Sequence, residues 1–128
     1  MIYLDTSVAL AHIFQERRRP TATFWDAPLC SSRLLEYELW NRLHARRRPP
    51  SEVAAVSILL NGILIIDLVP EVLARALEPF AAPVRTLDAM HLATMFFLRE
   101  QGRDVRLASY DERFLTAARA MGFDAAAL

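Results

Sequence analysis

The sequence predicts an α/β fold in which a mainly parallel sheet carries helices on both faces. Three observations predict it. Short apolar runs at 2–4, 29–31, 64–69 and 105–108 alternate with longer stretches of helical character, and strands alternating with helices require crossover connections and parallel pairing. Hydrophobic residues make up 54% of the chain, too many for a disordered segment. The length of 128 residues suits a single domain, 1–128, and a chain of that size buries roughly two-thirds of its unfolded surface.

Ile2–Leu4 is a short apolar run ending at Asp5, the pattern of a buried strand. A helix is expected from Thr6 to Arg19, stopped by Pro20. After a short strand at Leu29–Ser31, the segment from Ser32 to Arg47 places Leu35, Leu39 and Leu43 on one helical face. Pro49-Pro50 ends it, and Ser51 is the expected cap of a helix reaching about Asn61, before Gly62. A strand at Leu64–Val69 and a short helix at Glu71–Glu78 follow. Thr86 to Gln101 is an apolar helix with Gly102 at its end. Val105–Ala108 reads as the last strand. Ser109 and Glu112 have the spacing of a capping box for a final helix running to about Met121, with Gly122 behind it.

Composition excludes several classes. Net charge is zero, so the chain is not a globally basic nucleic-acid binder. All 15 basic residues are arginine, which removes every mechanism that needs a lysine. The longest apolar stretch, Val56 to Val69, is broken by Ser57, Asn61, Gly62 and Asp67, so no membrane span is expected. The opening Met-Ile-Tyr-Leu-Asp has no signal-peptide pattern, and the single cysteine, Cys30, has no partner for an internal disulfide. Both fit a cytoplasmic protein.

In a parallel α/β sheet the ligand crevice lies beyond the carboxyl ends of the strands. Asp5 ends the first strand, Asp111 follows the last, and Asp88 opens a helix. Carboxylates gathered at one place repel one another unless a cation joins them. With oxygen donors and no Cys/His cluster, the matching ions are Mg²⁺ or Mn²⁺ rather than zinc. The competing account is that aspartates near helix starts are caps. Against it, Ser109 and Thr86 are available to cap the last two long helices. Both Glu36 and Glu38 lie on the second helix, and periodicity does not choose between them.

Four segments together resemble a known family. Tyr3-Leu4-Asp5-Thr6-Ser7 looks like the opening of a PIN domain, and Ser31 to Leu39 resembles the second segment of VapC toxins. Arg85-Thr86-Leu87-Asp88-Ala89-Met90-His91-Leu92-Ala93 is very close to the third, and Ser109-Tyr110-Asp111-Glu112-Arg113 resembles the fourth. The resemblance implies a three-layer α/β/α PIN-like fold and a Mg²⁺- or Mn²⁺-dependent endoribonuclease. By carry-over, Asp5, Glu38, Asp88 and Asp111 hold the metal and position the attacking water, with Glu38 rather than Glu36 in the glutamate place. Thr6, Ser7 and Ser109 support them. It further implies an RNA substrate (tRNA or rRNA), a VapB-like antitoxin, and a homodimer.

The other residues carry blander expectations. Arg17–Arg19 and Arg46–Arg48 each end a predicted helix, where cations complement the dipole; the alternative is a phosphate track. Trp25, Trp40 and Tyr37 are expected in packing or a dimer contact, His91 in a structural role, and Cys30 in the core. Two rival functions stand beside the nuclease. A Mg²⁺-dependent phosphoryl-transfer domain normally uses a lysine, and none exists here. A non-catalytic PIN-fold interaction module would not need the four acids intact.

Overall fold

A computed structural model describes all residues, 1–128. Four strands, β1 (Ile2–Leu4), β2 (Leu29–Ser32), β3 (Leu64–Ile66) and β4 (Arg106–Ala108), form a sheet in the order β3-β2-β1-β4. Every pairing is parallel. Six α-helices and a short 3₁₀ helix (Ala22–Asp26) complete the chain: α1 (Thr6–Ile13), α2 (Arg33–Ala45), α3 (Pro50–Gly62), α4 (Pro70–Ala76), α5 (Thr86–Glu100) and α6 (Glu112–Ala120).

Strand alternation sorts the core into two layers. Ile2, Leu4, Leu29 and Ala108 point to one face, where they meet Val8 and Ala9 of α1, the Leu35/Leu39/Leu43 stripe of α2, and Val56 and Leu59 of α3. Tyr3, Cys30 and Leu107 point to the other, against Leu92, Met95 and Leu98 of α5 and Phe114 of α6. The result is the expected α/β/α sandwich with a parallel sheet. Beyond β4 the terminal segment closes the sheet edge: Leu107 N–H donates to the Asp124 carbonyl at 2.8 Å and Ala126 N–H to the Leu107 carbonyl at 2.8 Å. No helix is long and apolar enough to cross a membrane.

Three local expectations are corrected. Helix α1 stops at Ile13, well before Pro20, because Gln15 takes a left-handed conformation (φ 53°). Glu16 N–H then bonds back to the Ala11 carbonyl at 2.9 Å, a Schellman ending made without glycine. Arg17–Arg19 therefore lie outside the helix and do not complement its dipole. Helix α3 starts with Pro50 in its first turn rather than with a Ser51 cap. Most consequential, α6 is capped by Asp111, whose carboxylate accepts from the backbone N–H groups of Arg113 and Phe114. Ser109 is not the cap, and Thr86 lies inside α5, whose N-cap Arg85 makes no side-chain capping bond.

Candidate active site

Because all strands run the same way, the carboxyl ends of β1, β2 and β4 meet at one edge of the sheet. The Asp5 N–H continues the β1–β4 ladder by donating to the Ala108 carbonyl at 3.0 Å, which draws Asp5 beside Ser109. A cleft of about 410 Å³ opens there. Asp5, Glu38, Asp88 and Asp111 all line it, together with Thr6, Ser7 and Arg85. Glu36 does not; it pairs with Arg33 on the surface. A larger cavity of about 1060 Å³, walled by Trp25, Ile58 and Leu59 among others, contains no carboxylate.

Asp5 is buried and accepts three hydrogen bonds on Oδ2: from Ser7 Oγ at 2.6 Å, Ser109 Oγ at 2.6 Å and Ser7 N–H at 3.4 Å. Oδ1 takes none. Ser109, also buried, accepts from the Asp111 N–H at 3.0 Å, and Ser7 Oγ accepts from the Tyr110 N–H at 2.9 Å. The two serines thus tie the start of α1 to the approach to α6. Glu38, one and a half turns into α2, meets His91 Nε2 through Oε1 at 2.6 Å. Asp88 accepts from Arg85 Nε at 3.0 Å, and the same guanidinium reaches Asp111 through Nη2.

The electrostatics follow from this layout. Burial pushes the Asp88 carboxyl above its ordinary range; Arg85 opposes the rise, while Asp5 and Asp111 add to it by repulsion. Burial also acts to raise Asp111, but the Phe114 N–H, the Arg85 guanidinium and the Arg113 N–H outweigh it, and the net shift is downward.

A model of the PIN domain family matches residues 2–120. The chain belongs to the PIN domain family. It is 29% identical over 130 residues to Ribonuclease VapC47 of Mycobacterium tuberculosis, covering 96% of this chain and 93% of that protein. Its fold is similar to the crystal structure of Mycobacterium tuberculosis VapC20, described as a toxin that cleaves the sarcin–ricin loop, with a TM-score of 0.71, all of both chains covered and 22% identity. At that identity the likeness is one of fold.

The donor chemistry of this PIN cleft suits a hard divalent cation: carboxylate and hydroxyl oxygens only. Thr6 Oγ1 is buried with no hydrogen-bond partner, and a buried hydroxyl facing an acidic cleft calls for a water or a ligand. As they stand, no three His, Cys, Asp or Glu side chains are grouped to hold one ion. Glu38 is turned to His91, while Asp88 and Asp111 are turned to Arg85. Arg85 holds Oδ2 of both aspartates, while Asp88 Oδ1 takes no hydrogen bond.

Sequence reasoning missed two features of this PIN site. Arg85 was legible as a cation three positions before Asp88, at the spacing of neighbouring helix side chains. His91 was expected in a structural role; it is buried, but it bonds directly to Glu38.

Proposed function

We propose that this protein is a VapC-type endoribonuclease that hydrolyses RNA phosphodiester bonds with Mg²⁺ or Mn²⁺ held by Asp5, Glu38, Asp88 and Asp111. The observation that carries this reading is the convergence of four carboxylates, from four separate stretches of chain, on one cleft at the carboxyl edge of a parallel sheet. When bound, the ion supplies charge neutralisation for the phosphodiester and acidifies a water. The chain's own part is to present oxygens: Asp5 offers the oxygen its serines leave free, Glu38 the one not bonded to His91, Asp88 the one not bonded to Arg85, and Asp111 the one that Arg85 gives up. Thr6 Oγ1 provides a hydroxyl for a bound water. Arg18, stacked 4.5 Å from the Tyr110 ring beside Asp111, and the released Arg85 offer cations to phosphate oxygens.

As with VapC toxins, the substrate is tRNA or rRNA, a VapB-like antitoxin neutralises the enzyme, and the chain pairs with a second copy of itself. The test is RNA cleavage by the purified, antitoxin-free protein with Mn²⁺ or Mg²⁺, with and without EDTA, beside Asp88→Asn. Chelator and mutation should each abolish most of the rate. Equal cleavage by wild type and Asp88→Asn, or cleavage by neither, rejects the nuclease assignment.

A further inference from the structure

Glu38 has one protein partner, and that partner is fully committed on its other side. His91 is almost completely buried in α5. Its Nε2 meets Glu38 Oε1 at 2.6 Å, and its Nδ1 meets the Tyr3 hydroxyl at 2.8 Å. Tyr3 is fully buried on β1 and makes no contact with the cleft. Its oxygen accepts from the Ser32 N–H at 3.2 Å, at the residue that caps α2, the helix bearing Glu38. Ring packing restrains the imidazole further: it stands edge-on to Tyr3 at 5.8 Å between ring centres and lies 6.1 Å from Phe114.

The contacts along this chain fit a continuous sequence of donors and acceptors. Tyr3 lies in a dry interior and keeps its proton, burial holding its pKa far above the ordinary phenol value. Its oxygen accepts from Ser32, and its O–H lies 2.8 Å from His91 Nδ1, placed to donate to it. The neighbouring hydroxyls of Ser31 and Thr94 direct their own protons to the Leu4 and Met90 carbonyls. With Nδ1 an acceptor, the imidazole proton resides on Nε2 and points at Glu38.

We propose that Tyr3 and His91 are positioning residues: a buried hydrogen-bonded relay, Ser32 N–H to Tyr3 to His91 to Glu38, fixes the imidazole tautomer and aims the free oxygen of Glu38 for ion binding. The inference rests on the metal-dependent reading of the cleft. Groups that orient a metal ligand from behind typically change affinity or activity by roughly 10–100-fold. His91→Leu, which removes the donor, is expected to weaken Mn²⁺ binding about tenfold or more, and His91→Gln, which returns an N–H, to recover most of it. Tyr3→Phe releases the tautomer lock and should weaken binding several-fold although residue 3 never reaches the ion. The RNA KM should stay near wild type in all three.

The readouts are calorimetric Mn²⁺ titration of the RNA-free protein, thermal melting to verify folding, and ¹⁵N NMR of the His91 ring in the wild type. The NMR measurement needs no variant to fold. A ring protonated on Nδ1 overturns the relay, as does wild-type Mn²⁺ affinity in folded His91→Leu and Tyr3→Phe. Wild-type protein that binds no Mn²⁺ removes the metal reading of the cleft and the relay with it. Binding by the wild type with unchanged variants removes the relay alone.

Discussion

The two halves of the acidic cleft are built differently. On one side, Asp5 and Glu38 are held from behind by hydrogen-bond donors: two serines on Asp5, an imidazole on Glu38. On the other, Asp88 and Asp111 share one guanidinium whose side chain is about half exposed. In the first arrangement the donors can stay in place as a cation binds, because they leave one oxygen of each carboxylate open. The second is more fully occupied: Arg85 holds Oδ2 of both aspartates and the α6 cap takes Asp111 Oδ1, so only Asp88 Oδ1 is open and Asp111 joins an ion only when Arg85 moves away. One half is preorganised and the other is switchable.

The largest expected break of this contrast comes from the preorganised side. Asp5→Asn should cost more rate than any change behind it, exceeding the roughly 10–100-fold of a supporting residue, as measured by single-turnover RNA cleavage. Ser109→Ala removes a short bond to a buried carboxylate and should destabilise the fold by about 1.5–3 kcal/mol in urea melts. An unchanged midpoint would mean that Asp5 does not depend on Ser109.

The switchable side predicts opposite signs within one pair. Asp111→Ala removes the α6 cap and should cost about 1 kcal/mol. Asp88→Asn should instead raise Tm near neutral pH, because folding lifts the Asp88 pKa and the ionised form is therefore disfavoured in the folded state. That gain is full above the raised folded pKa, fades as the pH falls through it, and is gone below the ordinary carboxylate value, where Asp88 is protonated in both states. Asp111 runs the other way: its lowered pKa gives stability present above the unfolded value and lost as pH falls through the folded one. Melting curves of both variants at pH 7.5 and pH 3.5 (about 4 units apart) would separate the two signs; a loss of Tm in Asp88→Asn at neutral pH contradicts the burial argument.

The smallest effect belongs to Arg85→Gln. Removing the competitor should tighten Mn²⁺ binding in RNA-free protein by a few-fold at most, and less at high salt, because an exposed cation is screened. RNA binding should weaken at the same time. Weaker Mn²⁺ binding in Arg85→Gln would show that the guanidinium organises the pair instead of guarding it.

The alternation of short apolar runs and periodic segments was enough to read the layered parallel fold, since burial on two sheet faces imposes that pattern on any sequence adopting it. The glycines at 102 and 122 marked helix ends because their positive φ suits a residue without Cβ. Asp5, Asp88 and Asp111 were visible from their places at element boundaries, whereas Glu38 needed the family resemblance, because helical spacing treats it and Glu36 alike.

Local rules failed where distant parts of the chain compete for the same atoms. Ser109 has the spacing of a capping box, yet its hydroxyl is spent on Asp5, 104 residues away, and Asp111 takes over the cap. The same competition hides the Tyr3–His91–Glu38 chain, whose members belong to β1, α5 and α2. Sequence alone therefore determined the layers and the chemical character of the cleft, because periodicity and residue type are local properties. Which oxygens stay free, and which are held by a serine, an imidazole or a guanidinium, was decided by tertiary structure, because a hydrogen bond goes to whichever partner folding brings within reach.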